Sequence, residues 1–182
     1  MVEVQTARLL LRRWHDDDLK RLVALFGDPC VARYLSVEGR PWPRERTVEV
    51  FEHFRRQWRD SGFGPWAAVD KRTGRWLGQI GLNELPSWPG PDKIEVGWEL
   101  DPSVWGRGLA TEGGRAALTY GFEVVGLERI ISVARADNAA SRRVMDKCGL
   151  IFQEELSHKG ALVVWYALDR AAWQARQAEA RP

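Results

Sequence analysis

The sequence predicts an α/β fold, of the α+β kind: a single domain whose mixed central sheet of about six or seven strands is flanked by about four helices. Three observations carry this. Stretches of period two alternate with stretches of helical spacing along the chain. Residues 129–135, RIISVAR, form a near-continuous apolar run, as strands covered on both faces do. Finally, 182 residues that are 45% hydrophobic supply one sizeable core and fall short of two. The domain is expected to span 1–170, with a frayed helical tail at 171–182.

Residues 6–14, TARLLLRRW, read as the first strand. Asp16, Asp17 and Asp18 then supply helix-start chemistry ahead of Leu19, Leu22, Val23 and Phe26, which share one face. Gly27-Asp28-Pro29 stops that helix. Residues 37–43, VEGRPWP, are a loop, and 43–61 a second helix carrying Val48, Phe51 and Trp58. After Gly62, PWAAVDKRTGRWLGQIGLNEL reads as two strands turning at Thr73-Gly74. A proline-rich loop, PSWPGPD, leads into KIEVGWEL. There Ile94, Val96, Trp98 and Leu100 point one way, and Glu95, Gly97 and Glu99 the other. Gly97 in mid-strand signals a bulge or a close backbone approach. A helix over 109–125, polar along Glu112, Arg115, Thr119 and Glu123, ends at Gly126. Asn138 caps a short helix, 139–148, that Gly149 terminates. LIFQEEL and ALVVWYAL, joined across 158–160, close the core.

Charge and composition narrow the function. A net charge of +2 is too slight to argue for nucleic acid and suits a small anionic ligand. No charge-free run approaches the roughly 20 residues of a membrane span. The opening lacks a signal-peptide pattern, so a cytoplasmic protein is expected, with Cys30 and Cys148 as two buried thiols. His15, His53 and His158 are isolated and there is no Cys-x-x-Cys, so no metal is expected.

Residues 101–114, DPSVWGRGLATEGG, carry the strongest chemical signal. A strand, a glycine loop and a helix in succession leave unpaired N–H groups at the positive end of the helix. Gly106 and Gly108 let the backbone approach a ligand, and Arg107 adds a charge. The N–H groups from about Arg107 to Thr111 would cradle a phosphate or diphosphate. GRGLAT is close to the dinucleotide fingerprint, but Thr111 takes the third glycine's place and Glu128 begins its strand instead of ending it. The nucleoside-triphosphate loop fits less well, because no Gly-Lys-Ser/Thr follows.

From IEVGWELDPSVWGRGLATEG through NAASRRVMDKCGL, the sequence resembles the GNAT superfamily of acyl-CoA-dependent N-acetyltransferases. It looks closest to the branch of ribosomal-protein N-terminal alanine and serine acetyltransferases, for which TARLLLRRW and the final YAL are also typical. The resemblance implies that Trp105, Gly106, Arg107, Gly108, Leu109 and Ala110 hold the diphosphate of coenzyme A, with Thr111 beside them. Trp98 and Leu100 lead into that loop. Asn138, with Ser141, would meet the pantetheine or its surroundings, and Arg142 and Arg143 would meet the ribose phosphate or else form a solvated face. Trp105 stands where the general family pattern has Gln or Arg.

Acetyl transfer from a thioester needs a neutral amine, hydrogen bonds for the oxyanion and, for the thiolate, a proton. Glu95 and Glu99 are the candidate bases, and Glu95 matches a glutamate frequent in this branch; both also read as solvent-facing charges on a half-exposed strand. Met145 occupies the position where many members carry an acid tyrosine. Ser141, one turn away, is the candidate replacement, or else part of the helix start with Asn138. Tyr166 is either a donor or a packing residue. Tyr34, Trp42, Trp66 and Trp88, with Glu38 and Glu84, would wall an aromatic, acidic cleft suited to a cationic amine.

The expected activity is transfer of an acetyl group from acetyl-CoA to a primary amine by direct attack on the thioester, with a protein N-terminus as acceptor. The alternatives are an aminoglycoside or other small amine, a non-catalytic acyl-CoA sensor, and a nicotinamide-dependent oxidoreductase. No nucleic-acid or membrane partner is expected, and the chain is read as a monomer or homodimer.

Overall fold

A computed structural model describes residues 3–35 and 38–179. Met1, Val2, the Val37 that opens the predicted loop and the last three residues of the tail lie outside the described residues. The strands are β1 (Val4–Gln5), β2 (Leu9–Arg12), β3 (Pro65–Asp70), β4 (Trp76–Glu84), β5 (Ile94–Leu100), β6 (Arg129–Arg135), β7 (Ile151–His158) and β8 (Ala161–Asp169). The helices are α1 (Asp18–Phe26), α2 (Pro29–Leu35), α3 (Arg44–Asp60), α4 (Leu109–Tyr120), α5 (Ala139–Cys148) and α6 (Arg170–Glu179). The strands form one sheet in the order β1-β2-β3-β4-β5-β6-β8-β7. Neighbours are antiparallel except β5 and β6, which are parallel, so the sheet is mixed as expected.

The counts exceed the expectation for identifiable reasons. The predicted first strand, 6–14, shortens to β2, and the two-residue β1 that pairs with it lies ahead of the predicted span. Asp28-Pro29, read as a stop, is also a start: the Asp28 carboxylate accepts the Cys30 N–H (2.7 Å) and its carbonyl accepts from Ala32 (2.8 Å). Proline at the first helical position is pre-set for a helix, so α2 follows α1 at once. The tail is α6, docked by Trp173, whose buried ring lies 5.4 Å from Phe122. Beyond α4, residues 121–125 continue as one wide helical turn that ends at Gly126 in the left-handed region (φ +83°).

Tryptophan builds much of the core. Trp14 and Trp58 both donate their indole N–H to the carbonyl of Pro65 (2.9 and 2.7 Å). Trp66 is fully buried against Trp58 and Tyr120, so it belongs to the core and not to the cleft where the sequence reading placed it. Two more expectations are corrected. β7 is the edge strand with Ile151 and Phe152 exposed, so it covers the sheet's flank without closing the core. Cys148 is buried but Cys30 is exposed, because α2 presents it to solvent.

Gly97 marks no bulge. The β4–β5 ladder runs in regular register through the facing pair Gly81 and Gly97. The irregularity is on the other side of β5, where β6 pairs with it only at Glu95 and Ile131. Beyond that pair the two parallel strands diverge toward their carboxyl ends.

Candidate active site

The cleft begins at this divergence. Two donors from β6 reach across it: Ser132 Oγ donates to the carbonyl of Val96 (2.8 Å), and the Val133 N–H donates to the Glu95 carboxylate. The opening has a volume of about 740 Å³ and runs from the end of β5 past α5 to the loop between β4 and β5.

At its positive end lies the glycine loop. Asp101 caps a short helical turn (Pro102–Val104) by accepting the Ser103 N–H (2.9 Å), and Trp105 donates its indole N–H to the carbonyl of Leu100 (2.7 Å). Gly106 and Gly108 both take left-handed backbone (φ +74° and +77°), which a residue with a Cβ rarely adopts. Gly108 precedes α4 without a side-chain cap, and the first helical bond is Glu112 N–H to Gly108 O (3.0 Å). The amides of Leu109, Ala110 and Thr111 therefore have no acceptor within the helix and line the cleft. From outside, Arg8 pins the loop: Nη1 donates to the carbonyl of Arg107 (2.8 Å) and Nε to Glu112 (2.6 Å). The Arg107 side chain is exposed and outside the cleft lining. The charge expected from it is thus not brought into the cradle.

Glu95 and Glu99 share one face of β5 and lie at the floor of the same cleft, each residue partly open while its carboxyl is enclosed by protein. Burial raises the Glu95 carboxyl to about 7, against the pull of hydrogen bonds from Asn83 and the Val133 N–H. Burial, then the neighbouring charge of Glu95, raises Glu99 to about 8. Gln79 and Asn83 face these carboxyls from β4, in register with Glu99 and Glu95. The Gln79 amide N–H donates to Glu99. Sequence reasoning passed over both amides because neither type carries reactive chemistry. Their signal was polar residues at alternate positions in LGQIGLNEL, an otherwise apolar strand.

On α5, Asn138 is the N-cap: its side-chain oxygen accepts the Ser141 N–H (3.0 Å). Asn138, Ser141 and Arg143 line the cleft, as do Trp98, Leu100 and Trp105. Met145 is fully buried. Tyr166 is packed between strands, its ring 5.5 Å from Phe152 and its hydroxyl accepting from Arg142 (3.4 Å). Burial pushes the Cys148 thiol up to about 12, so it is inert as a nucleophile.

The far wall is aromatic. Tyr34, Trp42 and Trp88 line it. The Arg46 guanidinium lies 4.0 Å over the Trp42 ring, and Trp88 is buried 5.2 Å from His158. Lys159 Nζ donates to Ser87 Oγ (2.7 Å), which ties the β7–β8 turn to the β4–β5 loop. Glu84 lines this end and accepts from Ser61, whereas Glu38 is exposed and outside the lining.

Comparison with known proteins agrees with this geometry. Residues 8–151 match the acetyltransferase (GNAT) domain model. The chain is 31% identical over 152 residues to the uncharacterized N-acetyltransferase YoaA of Bacillus subtilis, covering 84% of this chain and 83% of that one. It is 32% identical over 160 residues to the FsC-acetyl coenzyme A-N(2)-transacetylase of Aspergillus fumigatus, covering 86% of this chain and 68% of the other. The crystal structure of an acetyltransferase from Agrobacterium tumefaciens superposes with a TM-score of 0.78 at 28% identity, covering 91% of this chain and 94% of that one.

Proposed function

The chain belongs to the GNAT acetyltransferase family and is an acetyl-CoA-dependent N-acetyltransferase, and from that premise we propose that it acetylates the α-amino group of a protein N-terminus. The observation that carries the reading is the Glu95–Glu99 pair at the floor of the cleft whose other end holds the free amides of the glycine loop. Those amides and the left-handed glycines fit the diphosphate of the co-substrate. A Cβ at Gly106 would meet nothing within 4 Å, so the loop's outer face is open to a ligand.

In this account the acceptor enters as an ammonium ion and Glu95 takes one proton from it, directly or through water. The freed lone pair forms the N–C bond at the thioester carbonyl, the C–S bond breaks, and the thiolate departs. The fully buried Met145 offers that thiolate no proton, and a thiolate leaves without one. A base near 7 is matched to an α-amine, at about 7.7–8.0, far better than to a lysine-type amine at about 10.4. That match supports an N-terminal acceptor. A non-catalytic sensor is not retained, since the family and its N-acetyltransferase relatives are enzymes and a base held in costly burial suits proton transfer more than coenzyme binding.

A second reading, a small-molecule amine, is favoured by a relative named spermidine N(1)-acetyltransferase, from Escherichia coli, 25% identical over 149 residues. One experiment separates the two. Thiol release from acetyl-CoA is followed with peptides beginning in Ala, Ser or Thr, an aminoglycoside, spermidine and free lysine. Turnover with the peptides supports the first reading, and turnover confined to the small amines replaces it with the second.

A further inference from the structure

The far wall of the cleft carries a cation that no nearby acid of the protein answers. Arg46, Val50, His53 and Phe54 line the cleft from α3 at helical spacing, with Arg46 at the N-terminal end of the stripe. Among the described residues, the ion pairs of α3 go to Arg55 and Arg59, and no Asp or Glu pairs with Arg46. Its neighbours Glu45 and Glu49 are exposed and outside the lining, as Glu38 is. Glu84, the acid that does line this end, accepts from Ser61. Lys159, a second cation at this end, is held by Ser87.

Arg46 is held ready for an anion. Its guanidinium stacks 4.0 Å over the Trp42 ring, and that platform is fixed. The Trp42 N–H donates to the Phe26 carbonyl (3.1 Å), the buried Phe26 ring meets the indole edge-on at 5.0 Å, and Pro41 and Pro43 stiffen the chain on either side. Stacking occupies a face of the guanidinium and leaves the in-plane N–H fork free, which is the edge that grips a carboxylate with two parallel bonds. The aromatic wall expected to welcome a cation thus already holds one of the protein's own. The helix also sets a distance. Gln57 donates to the Leu82 carbonyl (3.2 Å) and accepts the Glu84 N–H (3.3 Å), which brackets Asn83, the residue facing Glu95. Arg46 lies about three turns back along α3, about 16 Å away. An extended chain covers that span in about five residues, and the reach of the arginine shortens it to about three to five.

We propose that Arg46 selects the acceptor: its guanidinium grips a carboxylate about three to five residues behind the amine, so the protein acetylates N-termini that open an acidic segment. The inference rests on the N-terminal acceptor given above and adds the sequence class of that acceptor. A carboxylate offers Arg46 two acceptors and an opposite charge. The isosteric amide offers one acceptor and no charge, and a lysine at the same place meets like charge. A polyamine, whose distal groups are ammonium ions, is repelled from this wall for the same reason. Arg46 acts far from the reacting atoms, so the amine's approach to the thioester is untouched. Its effect belongs to binding of the acceptor and falls on KM.

The test uses the whole protein and a set of peptides that differ only at about the third to fifth residues, which are glutamates, glutamines or lysines. Thiol release should give the glutamate peptide a KM about tenfold below that of the glutamine peptide, with the lysine peptide weakest. Arg46→Gln should raise KM for the glutamate peptide about tenfold, to the level of the glutamine peptide, and leave KM for acetyl-CoA where it was. Arg46→Glu guards against mere damage to the cleft: it should invert the order and favour the lysine peptide, a gain that loosening cannot produce. A parent protein without preference among the peptides, or a glutamate preference that survives in Arg46→Gln, overturns the inference. If no peptide turns over, the N-terminal reading fails separately, and ω-aminooctanoate against its diamine counterpart then makes the same comparison. Preference for the amino acid sustains the role of Arg46, and a diamine acetylated equally well overturns it.

Discussion

Val133 lies on β6 two residues past the last pair that strand makes with β5, and its N–H donates to the carboxylate of Glu95, the β5 member of that pair. The divergence that opens the cleft thus also anchors the base. It also leaves the carboxyl enclosed enough for its proton affinity to rise.

Glu99 should cost the fold stability in a pH-dependent way. Its carboxyl is raised to about 8, so the folded chain keeps a proton that the unfolded chain has released above about 4.5. Stability contributed by this group is present below the unfolded value and is lost as pH rises toward 8. Glu99→Gln removes that loss. Calorimetry should show the variant's melting temperature exceeding the parent's at about pH 8, with the gap closing near pH 5. A gap of constant size would assign the gain to packing instead.

Gly108 carries the coenzyme cradle through its left-handed backbone. Gly108→Val forces a β-branched residue to φ +77°, at a cost of about 1–3 kcal/mol. Relief by rotating the loop turns the amides away. Coenzyme A affinity measured by calorimetry should fall at least tenfold, on the order of the loss of one or two amide contacts.

Arg8 acts on the same loop from outside. Its bonds to the Arg107 carbonyl and to Glu112 tie β2's leading end to the start of α4. Arg8→Met should raise KM for acetyl-CoA severalfold and leave that for the acceptor unchanged. Because Arg8 is half exposed, the melting temperature should move little. Equal loss for both substrates would mean general loosening.

The cysteines should differ sharply toward a thiol reagent. Cys30 is exposed, whereas Cys148 is buried and its thiol pushed up to about 12. Mass spectrometry of the native protein after brief alkylation should find the label on Cys30, and on Cys148 after denaturation.

Much of this was legible in the sequence. The alternation in KIEVGWEL placed Glu95 and Glu99 on one face, and the glycine loop and its helix lie where period and turn chemistry put them. What escaped reading depends on tertiary contact. Whether β5 pairs with β6 beyond Glu95 is decided by how two strands far apart in sequence diverge, so residue pattern alone does not place the splay, and Gly97, read as a bulge or a close backbone approach, lies in a regular ladder. Trp66 and Trp42 look alike as residues, yet one is sealed under Tyr120 and the other faces the cleft. α2 was hidden because Asp-Pro ends one helix with the same chemistry that starts the next. Gln79 and Asn83 become meaningful only once register sets them against the glutamates.

The most direct test of the central claim is the pH dependence of kcat/KM for acetyl transfer to the peptide, in the parent protein and in Glu95→Gln. With Glu95 as base, log kcat/KM should rise with pH through about 7 and then level. Glu95→Gln should lower the plateau by roughly 10²–10⁴-fold and abolish that limb, while Glu99→Gln, replacing a group still protonated there, should keep it. A limb near 7 that persists in Glu95→Gln would contradict the account and assign the proton to another group.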